Sequence, residues 1–339
     1  MSEPRALGRY FYRDRLAGQA VRFYDELDRQ LARGDYHAEV PLRLENQDRA
    51  YRDAFDACKA LRQDRPEYFF LGPEMSFFYR GGREGYMKLQ MLYTPAEIEA
   101  LKAPFQQRML RLLAGTADLS PVQREELLYT RLARQLRYQN SGSARDHNLV
   151  GPMLASQGVC EGQNALLMYC LRRAGLACVQ IRGKGRTQNH CWAMVWLNGE
   201  PVHCDLTWEK PGRGVLLYRY FNLTDEQIAR DHSGFAGPGL PVCRTEAYSY
   251  YRLHGHSFRS LMELIGHLHR EVRQNGVAYG QIQPVCTGVQ MDRAVNAALR
   301  GLPGCWNVYR VDSLRAVVLA AQSGPMNQQE VYHAAAGNS

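Results

Sequence analysis

The pair Asn198-Gly199 lies between two strand-like runs, Asn189-His190-Cys191-Trp192-Ala193-Met194-Val195-Trp196-Leu197 and Glu200-Pro201-Val202-His203-Cys204-Asp205-Leu206-Thr207-Trp208. Asn-Gly in that setting is the strongest short hairpin signal, because the tight primed turns need positive φ at their centre, and a two-residue loop fixes the register of the strands it joins. Glu200 then faces Leu197, Asp205 faces Trp192 and Thr207 faces His190. Side chains alternate with a period of two, so His190 and Asp205 share one face as diagonal neighbours, within reach of an imidazole-to-carboxylate hydrogen bond. A slip of one residue would turn them to opposite faces.

Upstream stands Gly158-Val159-Cys160-Glu161-Gly162, followed by a run whose apolar positions at 165, 168, 169 and 171 fit a buried helix with basic residues in its last turn and Gly175 as its C-cap. Cys160 therefore falls at or just before a helix N-terminus. Partial positive charge there, with an imidazolium nearby, favours thiolate and makes the sulfur a nucleophile near neutral pH. The order of Cys160, His190 and Asp205 reads as a thiol nucleophile, a base and the group that orients the base.

At these residues the chain resembles the transglutaminase-like superfamily, whose core shows G-x-C at a helix start, H-x-W on a strand and D-x-T-W on the next. The corresponding runs are Gly158-Val159-Cys160, His190-Cys191-Trp192 and Asp205-Leu206-Thr207-Trp208. The stretch from Tyr220-Phe221-Asn222-Leu223-Thr224-Asp225 to Asp231-His232 also looks like the bacterial branch of that family. The resemblance runs from about 140 to 235. It implies Cys160 as nucleophile, His190 as general base and acid, and Asp205 as orienter. It also implies an α+β fold with a papain-like core, a cysteine-bearing helix packed on an antiparallel sheet. Members of the family include protein cross-linkers, amide hydrolases resembling peptidases, and domains that have lost catalysis. No Asp-rich calcium loop of the EF-hand type is present, which weighs against calcium-dependent cross-linking.

Further candidates surround this set. Gln157 is placed to donate to an oxyanion alongside the Cys160 backbone N–H, or else is a solvated loop residue. His147 either lines the cleft or is a surface histidine. Trp192 and Trp208 wall the cleft or fill the core, and Thr207 fills the strand pair. Cys170, Cys178, Cys191, Cys204 and Cys243 lack comparable company and read as core thiols. A zinc site built from His190-Cys191 and His203-Cys204 is disfavoured, since alternation sends the two histidines to one face and the two cysteines to the other, and no C-x2-C pair occurs. His254, His256, His267 and His269 fail the same test of ligand convergence. No metal and no cofactor is expected.

A chain of 339 residues with 45% hydrophobic content has room for a substantial core and several subdomains. Nine scattered cysteines, together with a start that lacks an apolar signal region, lead to the expectation of a reducing cytoplasm. No apolar run reaches membrane-spanning length. The formal charge of +8 invites nucleic acid. However, the basic excess is almost all arginine interspersed with acids, as in Arg13-Asp14-Arg15, so nucleic-acid binding is not expected. Arg182-Gly183-Lys184-Gly185-Arg186 is the local exception, either a solvated loop or a selector for acidic or amide-rich substrates.

The expected organisation is an α+β N-terminal region over 1–139, a catalytic core over 140–240, a small α/β appendage over 241–321 and a flexible tail over 322–339. In the first region, helices are expected through Ala17 to Leu31, up to Arg65, over 95–114 and over 121–138, with short strands at 36–42, 66–71, 75–79 and 86–93. The appendage is expected as a helix near 257–274, a strand near 277–285, a helix near 289–300 and a strand near 305–319. The function expected is cysteine-dependent cleavage or exchange of amide bonds in a protein or peptide substrate. The alternative is an inactive module of the same fold that docks a partner.

Overall fold

The computed structural model describes residues 10–36, 39–43, 47–81, 84–209, 214–235, 239–283 and 286–322. The chain forms two compact units, Met1–Thr207 with His232–Val242, and Trp208–Asp231 with Cys243–Ser339. The expected boundary at 139/140 falls inside the first unit, that at 240/241 lies close to the chain's final exit from it, and nearly all of the expected tail lies outside the described residues.

The first unit opens with the amphipathic helix α1 (Gln19–Ala32), which buries Phe23, Tyr24, Leu27 and Leu31. Strand β1 (Glu39–Arg43) and helix α2 (Gln47–Asp64) follow, then β2 (Leu71–Gly81) and β3 (Glu84–Met91), giving an antiparallel sheet of order β1-β3-β2. The two short strands expected around Gly72-Pro73 are instead one strand. Its register jumps from Leu71 opposite Met91 to Met75 opposite Leu89, so Gly72-Pro73-Glu74 is a bulge. Proline fits there because a bulge does not need its missing N–H. Residues 66–70 form turns, and Tyr36 lies in a turn before β1.

Helix α3 (Pro95–Leu113) starts as its sequence foretells, with the Thr94 hydroxyl accepting from Glu97 N–H and the Glu97 carboxylate accepting from Thr94 N–H. Helix α4 (Pro121–Gln135) ends three residues before the expected limit, because Arg137–Tyr138 become β4 and pair in parallel with β5 (Gln157–Gly158). Helix α5 (Cys160–Arg173) packs on a sheet formed by β6 (Ala177–Gly185), β7 (Gln188–Leu197), β8 (Glu200–Cys204) and β9 (His232–Ser233), in the order β8-β7-β6-β9. The β7–β8 hairpin has the register read from its turn, Leu197 opposite Glu200, and both Asn198 (φ 51°) and Gly199 (φ 89°) adopt the positive φ that the turn demands.

The second unit contains α6 (Asp225–Ile228), α7 (Tyr250–Leu253), β10 (Ser257–Phe258), α8 (Leu261–Asn275), β11 (Val277–Ile282), α9 (Gly288–Leu299), β12 (Trp306–Val311) and β13 (Ala316–Ala321). Its sheet has the order β10-β11-β13-β12. Leu264, Leu268, Val272, Met291, Val295, Val317 and Leu319 form its core. The single strand expected over 305–319 is two, separated by a turn at Asp312–Leu314 and by Arg315 in the left-handed region at φ 51°. The apolar pattern runs across the break, and only Asp312-Ser313 and Arg315 mark it. The expected helix near 257 starts at Leu261, where Ser260 and Glu263 make a capping box.

Candidate active site

Glycine spacing explains where α5 begins. A Cβ on Gly158 would lie 2.9 Å from the Asp146 carbonyl oxygen, and one on Gly162 would lie 2.4 Å from the same atom and 2.9 Å from the Asn148 carbonyl oxygen. The 146–148 segment is therefore packed over the helix start, and it receives a hydrogen bond from Val159 N–H to Asp146 O at 3.0 Å. Cys160 occupies the first position of α5, where backbone N–H groups have no partner within the helix and the helix dipole is positive.

Strand β7 brings His190 to the sulfur, and the turn after β8 brings Asp205 to His190. His190 Nε2 donates to Asp205 Oδ2 at 2.7 Å, with Asp205 fully buried and His190 9% exposed. The strand expected over 200–208 stops at Cys204, because the Asp205 carboxylate takes the Thr207 N–H at 2.9 Å in an Asx-type turn that replaces the ladder. Thr207 therefore anchors Asp205 instead of pairing with His190. The Tyr129 hydroxyl donates to the Asp205 carbonyl at 3.3 Å.

With Nε2 committed to Asp205, the Nδ1 side of His190 is left for Cys160, which lies within its hydrogen-bonding range. Hydrogen bonding from Cys191, then from His190, outweighs burial and pulls the Cys160 thiol down to about 5. Burial acts to lower His190, but hydrogen bonds to Asp205 and Cys160 overcome it and hold the imidazole up at about 9. Burial pushes Asp205 upward, and its bonds from His190 and His232 more than offset this, so its carboxyl lies below the ordinary value. At neutral pH these directions give a Cys160 thiolate beside a His190 imidazolium.

Two of the interacting residues lie outside the set expected from sequence. Cys191, expected to be a core thiol, hydrogen-bonds Cys160, which with burial raises its own thiol well above the ordinary range. Its neighbourhood with Cys160 arises because α5 packs directly against β7, which no local spacing reveals. His232 places Nε2 3.1 Å from Asp205 Oδ2. Its one sequence signal is the Asp231-His232 end of the run resembling the bacterial branch.

The remaining candidates are distributed differently. Trp192 is fully buried, its ring lies 6.0 Å from that of His190 at 22°, and its Nε1 donates to His203 Nδ1 at 3.0 Å. It is a core buttress behind the histidine. Trp208 belongs to the second unit, where its ring meets Tyr220 edge-on at 5.6 Å. Gln157 is half-buried in β5, three residues before the sulfur. His147 is half-exposed with Nδ1 3.7 Å from Glu161 Oε2, and the two line a cavity of about 40 Å³ with Arg62 and Gln180. From the basic patch, Arg182 donates to Glu161 Oε1 at 2.5 Å, next to the nucleophile. The ligand atoms of His190, Asp205 and His232 lie within 4.8 Å of one another, a spacing that can hold a cation. A metal there would take the nitrogen through which His190 bonds Asp205, so it would compete with the Cys160–His190–Asp205 line.

An α+β fold with a papain-like core, a thiol at a helix start, an imidazole on the facing sheet and a carboxylate in the turn that ends one of its strands define the class. Residues 111–206 match the family model of the transglutaminase-like superfamily, a segment that holds Cys160, His190 and Asp205. Among solved structures, a TGase crystal structure is 13% identical over 43% of this chain and 47% of its own length, with a TM-score of 0.30. A candidate cysteine protease from Cytophaga hutchinsonii is 10% identical over 42% of this chain and 64% of its own, with a TM-score of 0.27. The chain thus spans about half of the first and under two thirds of the second. No curated protein matches the chain.

Proposed function

We propose that the chain is a cysteine-dependent acyl-transfer enzyme that cleaves or exchanges amide bonds in a protein or peptide substrate through a thioester on Cys160. The observation that carries this reading is the hydrogen-bonded line from buried Asp205 through His190 to Cys160. Such a line favours the ionised form of a half-buried thiol near neutral pH, and a thiol serving only to fill a core has no use for it.

In the proposed reaction, the Cys160 thiolate attacks the carbonyl carbon, and the oxyanion takes N–H groups at the start of α5, with the Gln157 amide as a further donor. His190 gives its proton to the departing amine, and the thioester remains. Water or an amine then attacks the thioester, neutral His190 takes the incoming proton, and the thiolate returns. Asp205 holds the ring in the tautomer that serves both steps. Hydrolysis and transfer differ only in which acceptor reaches the thioester. The test is turnover of peptide and glutamine-amide substrates, with and without amine acceptors, by the intact chain and by Cys160→Ala. Loss of all turnover and of Cys160 labelling in the variant is expected, and retained turnover would exclude the mechanism.

A further inference from the structure

We infer that His232 is a positioning residue for the Asp205–His190 pair, its Nε2–H donating to the carboxylate oxygen that also receives His190. This deepens the proposed function and rests on it. The side chain of His232 is fully buried, and its Nε2 lies 3.1 Å from Asp205 Oδ2 while His190 Nε2 lies 2.7 Å from the same atom. An ionised carboxylate only accepts, so both nitrogens must carry hydrogen. With the Thr207 N–H on Oδ1, both oxygens are fixed and the carboxylate cannot rotate away from His190.

The surroundings show that the fold invests in this contact. The chain leaves the first unit after Thr207 and returns to it at His232 itself. The return is a two-residue strand, with His232 opposite Gly185 and Ser233 opposite Lys184. Gly183 makes room for it: a Cβ there would lie 2.3 Å from the Ser233 carbonyl oxygen and 2.9 Å from the Trp192 ring. The Trp192 ring meets that of His232 edge-on at 4.8 Å and 76°, fixing the imidazole plane. The titratable and charged groups on the elements that form this cluster include Cys160 and Glu161 on α5, Arg182 and Lys184 on β6, His190 and Cys191 on β7, His203 and Cys204 on β8, and the Tyr129 phenol against the Asp205 carbonyl.

Loss of the His232 donor leaves a fully buried carboxylate with one hydrogen bond fewer and its Oδ2 held by His190 alone, so it supports the His190 imidazolium, and through it the Cys160 thiolate, less well. The test reads iodoacetamide labelling of Cys160 against pH by peptide mass spectrometry in the full chain, for the wild type, His232→Leu and His232→Gln. Leucine keeps the volume without the donor, and glutamine places an amide N–H where Nε2 stands. At pH 6, His232→Leu is expected to label about twofold more slowly than wild type, as when one unit of thiol pKa lowers the thiolate from about nine-tenths to about half, and His232→Gln to label at close to the wild-type rate. Equal rates in all three proteins, or equal slowing in both variants, would overturn the positioning role. Should the leucine variant not fold, the ¹⁵N spectrum of histidine in the wild type decides: a protonated His232 Nε2 is expected, and a bare one overturns the inference. A wild-type Cys160 that labels as an ordinary thiol would instead remove the proposed function on which this rests.

Discussion

At the scale of the residue, reactivity follows from who touches Cys160. A thiol held at about 5 is largely thiolate at neutral pH, so labelling of Cys160 is expected to be near its maximum at pH 7 and to fall as pH drops through about 5, whereas an ordinary thiol would still be rising at pH 9. Rates at Cys160 that track an ordinary cysteine would contradict this ion pair. Asp205→Asn keeps the shape and removes the charge that stabilises the imidazolium, so it is expected to lower kcat by roughly 10² to 10⁴. An unchanged kcat would show that His190 is oriented by other groups. The three residues of this line were legible in the sequence because their chemistry is local: a cysteine at a helix start, and a histidine and aspartate in a hairpin whose turn names its own register. Cys191 is the buried core thiol that its sequence suggests, but its hydrogen bond to Cys160 was not legible, for the opposite reason. Its role comes from the packing of α5 on β7, and its own flanks are those of any core strand.

At the scale of the element, the glycines on either side of Cys160 are packing residues. Alanine for glycine inside a helix ordinarily gains up to about 1 kcal/mol of helix propensity. At Gly162 the new methyl would meet the backbone of Asp146 and Asn148 at 2.4 Å and 2.9 Å, and backbone does not yield as a side-chain end would. Gly162→Ala is therefore expected to destabilise the protein by about 1–3 kcal/mol, read as a lower urea midpoint with an unchanged slope. A gain in stability would mean that the 146–148 segment is not held against α5. The hairpin shows the same division between local and tertiary causes. Asn198-Gly199 sets the register, but the end of β8 is decided by the carboxylate of Asp205 turning back to the Thr207 N–H, so the expected pairing of Thr207 with His190 is replaced by a turn. In the second unit, β12 and β13 read as one strand because apolar residues continue through a turn that only a few polar residues mark.

At the scale of the whole molecule, the buried ion pair ties stability to pH. His190 is raised from an ordinary 6.5 to about 9, so its contribution is complete below 6.5 and is lost as pH rises through about 9. Cys160 is depressed from 9.0 to about 5, so its contribution is complete above 9.0 and is lost as pH falls toward about 5. Between 6.5 and 9 the two changes cancel, because folded and unfolded chains each hold one proton on the pair. Below 6.5 the unfolded chain holds one more, and stability falls with a slope of about 1.4 kcal/mol per pH unit. Between pH 6.5 and 5, the wild type is therefore expected to lose up to about 2 kcal/mol more than Cys160→Ser, compared by urea midpoints. Parallel losses in the two proteins would mean that the pair is not ionised in the fold. The described residues contain no helix long and apolar enough to cross a membrane. Taken alone, the sequence determined the α+β class, the hairpin register, the helix that starts at the thiol and the choice of Cys160, His190 and Asp205 as candidates, since turn chemistry, periodicity and capping act over a few neighbouring residues. Only the tertiary structure decided that Cys191 reaches the nucleophile, that His232 returns to share the carboxylate 27 positions after Asp205, and that the glycines around Cys160 admit a neighbouring backbone. Those contacts join segments far apart in the chain, and no local pattern encodes them.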